Sequence, residues 1–286
     1  EESAGQRLDN LLVRLLKGVP KSHIYRIIRS GEVRRNKGRV SADDRVNTGD
    51  VLRIPPIRLS ERAEEKAANP APPRDFPVVF EDDAFLAIDK PAGVAVHGGS
   101  GVEFGVIEAL RQALGKTYLE LIHRIDRDTS GLLMISKKRS VLKKLQDHLR
   151  DGQIRKTYQA IVKGQVLLDK QRINAPLLRY ELPNGERRVR VTADGKPSQT
   201  DWLVIERFSG ATLVEASPLT GRTHQIRVHL AWLGHPIVGD SIYGGHTTEQ
   251  LNRQALHATR LDFSHPVSGH HLSFTTEVPV DMQQAF

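Results

Sequence analysis

The chain has 286 residues, 38% of them apolar, and carries 42 lysines and arginines against 34 aspartates and glutamates, a formal net charge of +8 with neutral histidines. That apolar share is enough for a packed core and excludes wholesale disorder, the length fits one small and one larger domain, and the basic excess favours a polyanionic partner. The absence of cysteine excludes a disulfide framework, a thiolate nucleophile and any Cys-ligated metal cluster. No stretch approaches the ~20 apolar residues of a membrane span, and the opening EESAGQ has neither the basic nor the apolar region of a secretory signal. A soluble, cytoplasmic protein without membrane contact is therefore expected.

In chain order, Leu8, Leu11, Leu12, Leu15 and Leu16 follow the spacing of an amphipathic helix. Ile24, Ile27 and Ile28 form a second apolar stripe, with Ser22 as its expected N-cap and Gly31 just past its end. Between Val33 and Ile54 the pattern predicts short strands and turns, with Thr48-Gly49-Asp50 turning the chain into Val51–Ile54. From Lys17 to Arg39 cations crowd the chain (Lys17, Lys21, Arg26, Arg29, Arg34, Arg35, Lys37, Arg39), opposed there only by Glu32. Residues 55–75, PPIRLSERAEEKAANPAPPRD, lose the apolar period and read as a solvated linker. The expected organisation is a small module over 1–57, a linker over 58–75 and a larger domain over 76–286. In that domain Val78–Phe80, Phe85–Ile88, Gly131–Ile135, Tyr158–Val162 and Ala211–Ala216 read as strands, and Val106–Leu114, Val141–Leu149 and His224–Leu233 as helices. Strands outnumber helices and the order does not alternate strictly, which predicts an α+β fold with a mixed, mainly antiparallel sheet and flanking helices.

Three segments carry candidate chemistry. In His123–Gly131 a charged loop enters an apolar strand, and Asp126 and Asp128 stand two apart, so an extended loop aims both carboxylates the same way. Such an acid serves as nucleophile or general base; the plain alternative is a surface turn whose charges neutralise each other. In Thr220–His229, Gly221 ends a strand and a helix begins near Thr223, which puts Arg227 one turn from His224, able to offer a guanidinium to a carboxylate or phosphate. His224 and His229 are five apart and share no helix face, and acidic or Cys co-ligands at ligand spacing are missing, so no metal is expected. In Lys156-Thr157-Tyr158, Tyr158 shares a strand face with Ala160 and Val162, either to stack on a base or handle a proton, or as an ordinary core tyrosine. P-loop and dinucleotide spacings are both missed, so no nucleotide cofactor is expected.

The segment LIHRIDRDTSGLLMI, 121–135, resembles the His-Arg-x-Asp-x-x-Thr-Ser-Gly motif of the RluA-type pseudouridine synthases. Asp89-Lys90-Pro91-Ala92-Gly93 resembles their opening motif. TGRTHQIRVH followed by Gly234–Asp240, Tyr243-Gly244, Leu256-His257-Ala258 and His265-Pro266 resembles their later ones, in order, over about residues 76–280. The front segment, 6–55, resembles an S4 RNA-binding domain through Arg7-Leu8-Asp9, Ser22, Gly31-Glu32-Val33, Asn36 and Gly49-Asp50, with Arg35 where that pattern more often has an apolar residue. The loop His97–Gly101 with Gly105–Glu108 most resembles the branch acting on large-subunit ribosomal RNA. The resemblance implies a two-layer α+β catalytic fold that isomerises uridine to pseudouridine in a flipped nucleotide, with no cofactor and no metal. It also implies that Asp126 is the catalytic aspartate, Tyr158 the active-site tyrosine and Arg227 the arginine that pairs with the aspartate. Large-subunit ribosomal RNA is the expected partner of a monomeric enzyme. Arg124, Arg127, Thr129, Arg222 and His224 are the expected contacts near the target, and Lys21, Arg26, Arg29, Arg34, Arg35, Lys37 and Arg39 those of the front module. A synthase acting on tRNA or other ribosomal uridines, and an rRNA-binding assembly protein without catalysis, are the alternatives.

Overall fold

The computed structural model describes residues 3–16, 19, 21–57, 74–99, 104–116 and 118–285. Lys17, residues 58–73 of the expected 58–75 linker, and Ser100 and Gly101 of the glycine-rich loop lie outside the described residues. The chain separates into two compact units, Glu1–Pro72 and Pro73–Phe286.

In the first unit, α1 (Leu8–Leu15) and α2 (Lys21–Arg29) accompany β1 (Arg34–Arg35), β2 (Gly38–Arg39) and β3 (Leu52–Arg53), antiparallel in the order β2–β1–β3. Leu8, Leu11 and Leu12 of α1 and Ile24, Ile27 and Ile28 of α2 close over Val33 and Val46, so both apolar stripes do what their spacing predicts. Leu15 is an exception at 54% exposed: α1 ends there, and Leu16 takes the inward place instead. Ser22 is not the N-cap, because helical geometry already begins at Lys21 and places Ser22 inside the first turn. Gly31 ends α2 in the left-handed conformation, φ +76°. Its N–H donates to Ile28 O while Glu32 N–H donates to Ile27 O, the paired bonds that close a helix on glycine.

The second unit runs β4 (Val78–Glu81), β5 (Phe85–Lys90), α3 (Val106–Ala113), β6 (Glu120–Leu121), β7 (Ser130–Ser136), α4 (Arg139–Arg150), β8 (Arg155–Lys163) and β9 (Lys170–Asn174). It continues with β10 (Leu177–Glu181), β11 (Arg187–Val191), β12 (Gln199–Phe208), β13 (Ala211–Pro218), α5 (Gln225–Trp232), β14 (Leu256–Ser264), β15 (His271–Thr275) and α6 (Val280–Gln283). The main sheet has the order β4-β5-β7-β14-β8-β13-β12-β9, with β15 on β14 and β6 on β7. Among the described residues only β7 and β14 pair in parallel, His257 opposite Ser130 and Ala258 opposite Gly131; the other pairs are antiparallel. The hairpin β10–β11 forms a separate ribbon.

Strand period explains why the central strands are apolar throughout. Leu133 and Ile135 of β7 and Leu86 and Ile88 of β5 face one core, together with α3 and with Ile226 and Leu230 of α5. Leu132, Met134, Phe85 and Ala87 face the opposite core, against Val141, Leu142 and Leu145 of α4. A strand covered on both faces needs no polar alternation. Gly131 permits the parallel pairing: its φ is +110°, and a Cβ there would lie 2.3 Å from Ala258 O. Strands β9 and β11 escape the sequence reading because they are rich in charge. In RRVRV, only Val189 is buried. The strand expected to end at Gly221 ends at Pro218, and α5 begins at Gln225 rather than Thr223.

Candidate active site

Asp126 opens a tight turn between β6 and β7, closed by Thr129 N–H donating to Asp126 O at 3.1 Å. The turn overrides the extended loop expected from sequence: Asp126 and Asp128 take different partners. Asp128 pairs with the neighbouring, exposed Arg127 (3.1 Å), while Asp126 faces α5.

Two cations hold the turn by its backbone. Lys90, fully buried at the end of β5, donates from Nζ to Arg127 O (2.9 Å), Pro91 O (2.8 Å) and Val94 O (2.8 Å). Three acceptors satisfy the three N–H bonds of an ammonium. Burial nevertheless pulls its pKa down to about 7, with Asp128 and Asp126 opposing the fall and Arg253 adding to it. Arg253 Nη1 donates to Asp128 O (3.1 Å), and its other nitrogens grip Asp281 of α6 at 2.7 and 2.9 Å.

Arg227 links the turn to the rest of the site. Its side chain is 5% exposed and forks onto Asp240 with Nε to Oδ2 at 2.6 Å and Nη2 to Oδ1 at 2.9 Å, leaving Nη1 for Asp126 Oδ2 at 3.0 Å. Burial alone would lower its pKa, but the bond to Asp240 and the charges of Asp126 and Asp240 outweigh burial and raise it. Asp240 is 1% exposed, whereas the Asp126 side chain keeps 27% of its surface. Asp240 is therefore the anchor, and Asp126 is the acid that faces outward. Gly239 beside it has φ +81°, and a Cβ there would sit 1.9 Å from Arg253 O, so this close approach admits only glycine.

Tyr243 packs under the guanidinium, Arg227 Cζ 5.0 Å from its ring centre. Its hydroxyl accepts Val189 N–H of β11 (3.1 Å) and meets His224 Nδ1 (2.6 Å), and burial pushes its pKa up to about 12. His224 caps α5 in the left-handed conformation, φ +53°, with Nε2 3.9 Å from Asp126 Oδ1. Tyr158 on β8 is buried in the core on the Asp126 side of the sheet; burial raises its pKa, and the charge of Asp126 raises it further.

The structure thus brings together Asp126, Arg227 and His224 and sets Tyr158 within their electrostatic reach. Thr129 is not on the surface: it closes the turn just before β7, its side chain is buried, and its hydroxyl accepts from Gln254 Nε2. Arg124 is exposed, with Nη1 3.2 Å from His97 Nε2, and Arg222 is exposed, with Nε on Pro197 O. In the first unit Lys21, Arg26, Arg29, Lys37 and Arg39 are exposed. Arg34 and Arg35 are half-buried, and Arg35 Nη1 is engaged by Arg45 O at 2.6 Å. Sequence reasoning missed Lys90, Asp240, Tyr243 and Arg253. Lys90, Asp240 and Tyr243 stand inside the motif-like segments, a signal that could have found them, while Arg253 lies outside those segments and carried none.

The chain belongs to the RNA pseudouridylate synthase family, whose model matches residues 84–232. An S4 domain model matches residues 6–52. The chain is 49% identical to ribosomal large subunit pseudouridine synthase C of Haemophilus influenzae, over 99% of this chain and 91% of the relative. It is 49% identical to the protein of the same name from Escherichia coli (98% and 91%) and 50% identical to that from Yersinia pestis (99% and 91%). Among solved structures, human RNA pseudouridylate synthase domain containing 1 superposes with a TM-score of 0.61 at 25% identity, covering 73% of this chain and 86% of that one. Human RNA pseudouridylate synthase domain containing 4 matches in fold, with a TM-score of 0.60 at 23% identity over 72% and 90%.

Proposed function

We propose that this enzyme isomerises uridines of large-subunit ribosomal RNA to pseudouridine, acting as a cytoplasmic monomer with Asp126 as its reagent, Arg227 as the holder of that carboxylate and Tyr158 as the wall against which uracil rests. The observation that carries this is the partly exposed Asp126 carboxylate, 3.0 Å from a guanidinium that is itself fixed by a buried acid. The names of the bacterial relatives supply the RNA class.

The base must leave C1′, turn and rejoin through C5. Addition to the ring, capture of the sugar carbon and elimination all require a carboxylate at this point, and the overall reaction neither oxidises nor consumes anything, so it needs no cofactor. The target nucleotide must leave its stack, at a cost of a few kcal/mol. Phosphate contacts from Arg124, Arg127 and Arg222, and from Lys21, Arg26, Arg29, Lys37 and Arg39 of the first unit, offset that cost.

Asp126→Asn keeps the shape of the side chain and removes its charge. It should abolish tritium release from C5-labelled uridine in large-subunit ribosomal RNA while filter-retained RNA binding persists. Normal isomerisation by this variant would defeat the assignment.

A further inference from the structure

Lys156 stands two residues before Tyr158 on β8, so both side chains leave the same face of the strand. At a rise of about 3.3 Å per residue they are about 7 Å apart along that face, a step comparable with that from a nucleobase to its own phosphate. Lys156 is half-buried. Among the described residues its ammonium makes no hydrogen bond and no ion pair. The buried cations Lys90, Arg227 and Arg253 are satisfied, by three carbonyls, by two carboxylates, and by Asp281 with two carbonyls.

The surroundings of Lys156 leave its charge standing. Burial lowers its pKa, with no described carboxylate opposing the fall. His123 feels the same charge: burial first, then Lys156, push its imidazole down to about 3, so the ring is neutral. His123 Nε2 accepts Met134 N–H at 3.1 Å, which leaves Nδ1 as an N–H donor with nothing to offer an ammonium. Gly221, ahead of α5, borders Nζ on another side. A Cβ there would lie 3.8 Å from Nζ, so the glycine puts no side chain over it. A half-buried ammonium held without an acid is a cost that an incoming anion offsets.

We propose that Lys156 binds the phosphate of the target nucleotide itself, so that the flipped uridine is fixed at two points, its base on Tyr158 and its phosphate on Lys156. The ribose bridges the two and brings C1′ to the Tyr158 end, where the charge of Asp126 is felt. A point charge on a flexible stem suits a phosphate that arrives by rotation. The exposed Arg124, Arg127 and Arg222 gather RNA before flipping, whereas Lys156 meets its phosphate only once the nucleotide has entered the cleft.

This assignment rests on the pseudouridine synthase function and on uracil lying against Tyr158. Single-turnover pseudouridine formation is followed with full-length protein at saturating large-subunit ribosomal RNA. It is repeated with RNA whose linkage on one or the other side of the modified uridine is an uncharged methylphosphonate. Lys156→Met should slow formation in native RNA about 10-fold or more, the scale of losing a hydrogen bond between charged groups. Wild type should slow by a similar factor on one of the two neutral linkages, and there Lys156→Met should add nothing to the loss. The urea midpoint of Lys156→Met should equal or exceed that of wild type, because the cation has no partner within the protein. An unchanged rate in Lys156→Met overturns the contact. So do losses that add on both linkages, a wild type indifferent to both, and a lowered urea midpoint, the mark of a structural lysine. A wild type that forms no pseudouridine in native RNA overturns the parent function, and the contact with it.

Discussion

Arg227 serves two carboxylates of opposite character. Asp240 is sealed from water and takes two guanidinium nitrogens, whereas Asp126 is partly open and takes the third. Removing the guanidinium strands Asp240 as an uncompensated buried charge, so Arg227→Ala should cost about 3–5 kcal/mol in urea unfolding. Arg227→Lys should recover much of that stability yet leave turnover depressed, because one compact ammonium cannot reproduce a planar fork that spans two acids. Near-wild-type turnover in the Lys variant would show that geometry at Asp126 is unimportant. The sequence made Asp126 and Arg227 legible through their motif segments. Asp240 stayed hidden, because an aspartate after glycine resembles any turn residue until its burial against Arg227 is seen.

The same limit applies to elements. The two-faced strands β5 and β7 were readable as continuous apolar runs. Strand β14 was not, because His257 interrupts it, although His257 is buried between Ser130 Oγ and Thr276 Oγ1, at 2.9 Å from each. Burial, with Arg253 nearby, pulls this imidazole down to about 4. In the unfolded chain it titrates near 6.5, so between these values the unfolded state binds the extra proton. Stability should therefore be intact above about pH 6.5 and fall steadily towards pH 4, by on the order of 3 kcal/mol from this group alone. Urea midpoints measured across that range should fall less steeply for His257→Gln. An unchanged slope would place the acid sensitivity elsewhere.

At the scale of the molecule, each unit has its own core, around Leu8, Leu12 and Ile27 in the first and on both faces of the main sheet in the second. Phosphate-directed charge in the first unit should supply affinity rather than chemistry. Deleting residues 1–57 should weaken ribosomal RNA binding and flatten its salt dependence by about 0.7–0.9 for each phosphate no longer neutralised. The single-turnover rate at saturating RNA should change far less. Equal loss of both would refute the division of labour. Composition and the cation cluster of 17–39 foretold this basic front unit, but they could not tell that Arg35 is spent on Arg45 O.

The turn bearing Asp126 depends on residues made much later. Arg253 stands 125 positions beyond Asp128, and Ser130 and His257 are 127 apart. At about 5–20 residues per second, a ribosome needs about 6–25 s to synthesise the stretch between Ser130 and its parallel neighbour. During that interval the nascent β7 has β5 on one side, while on the other β6 covers only its far end at Ile135 and Ser136 and the edge that receives β14 at Ser130 and Gly131 stands open, the form of strand most open to pairing with a stranger. Translation is thus the period when this chain most needs chaperone protection, and competence for catalysis arrives only after β14 has docked.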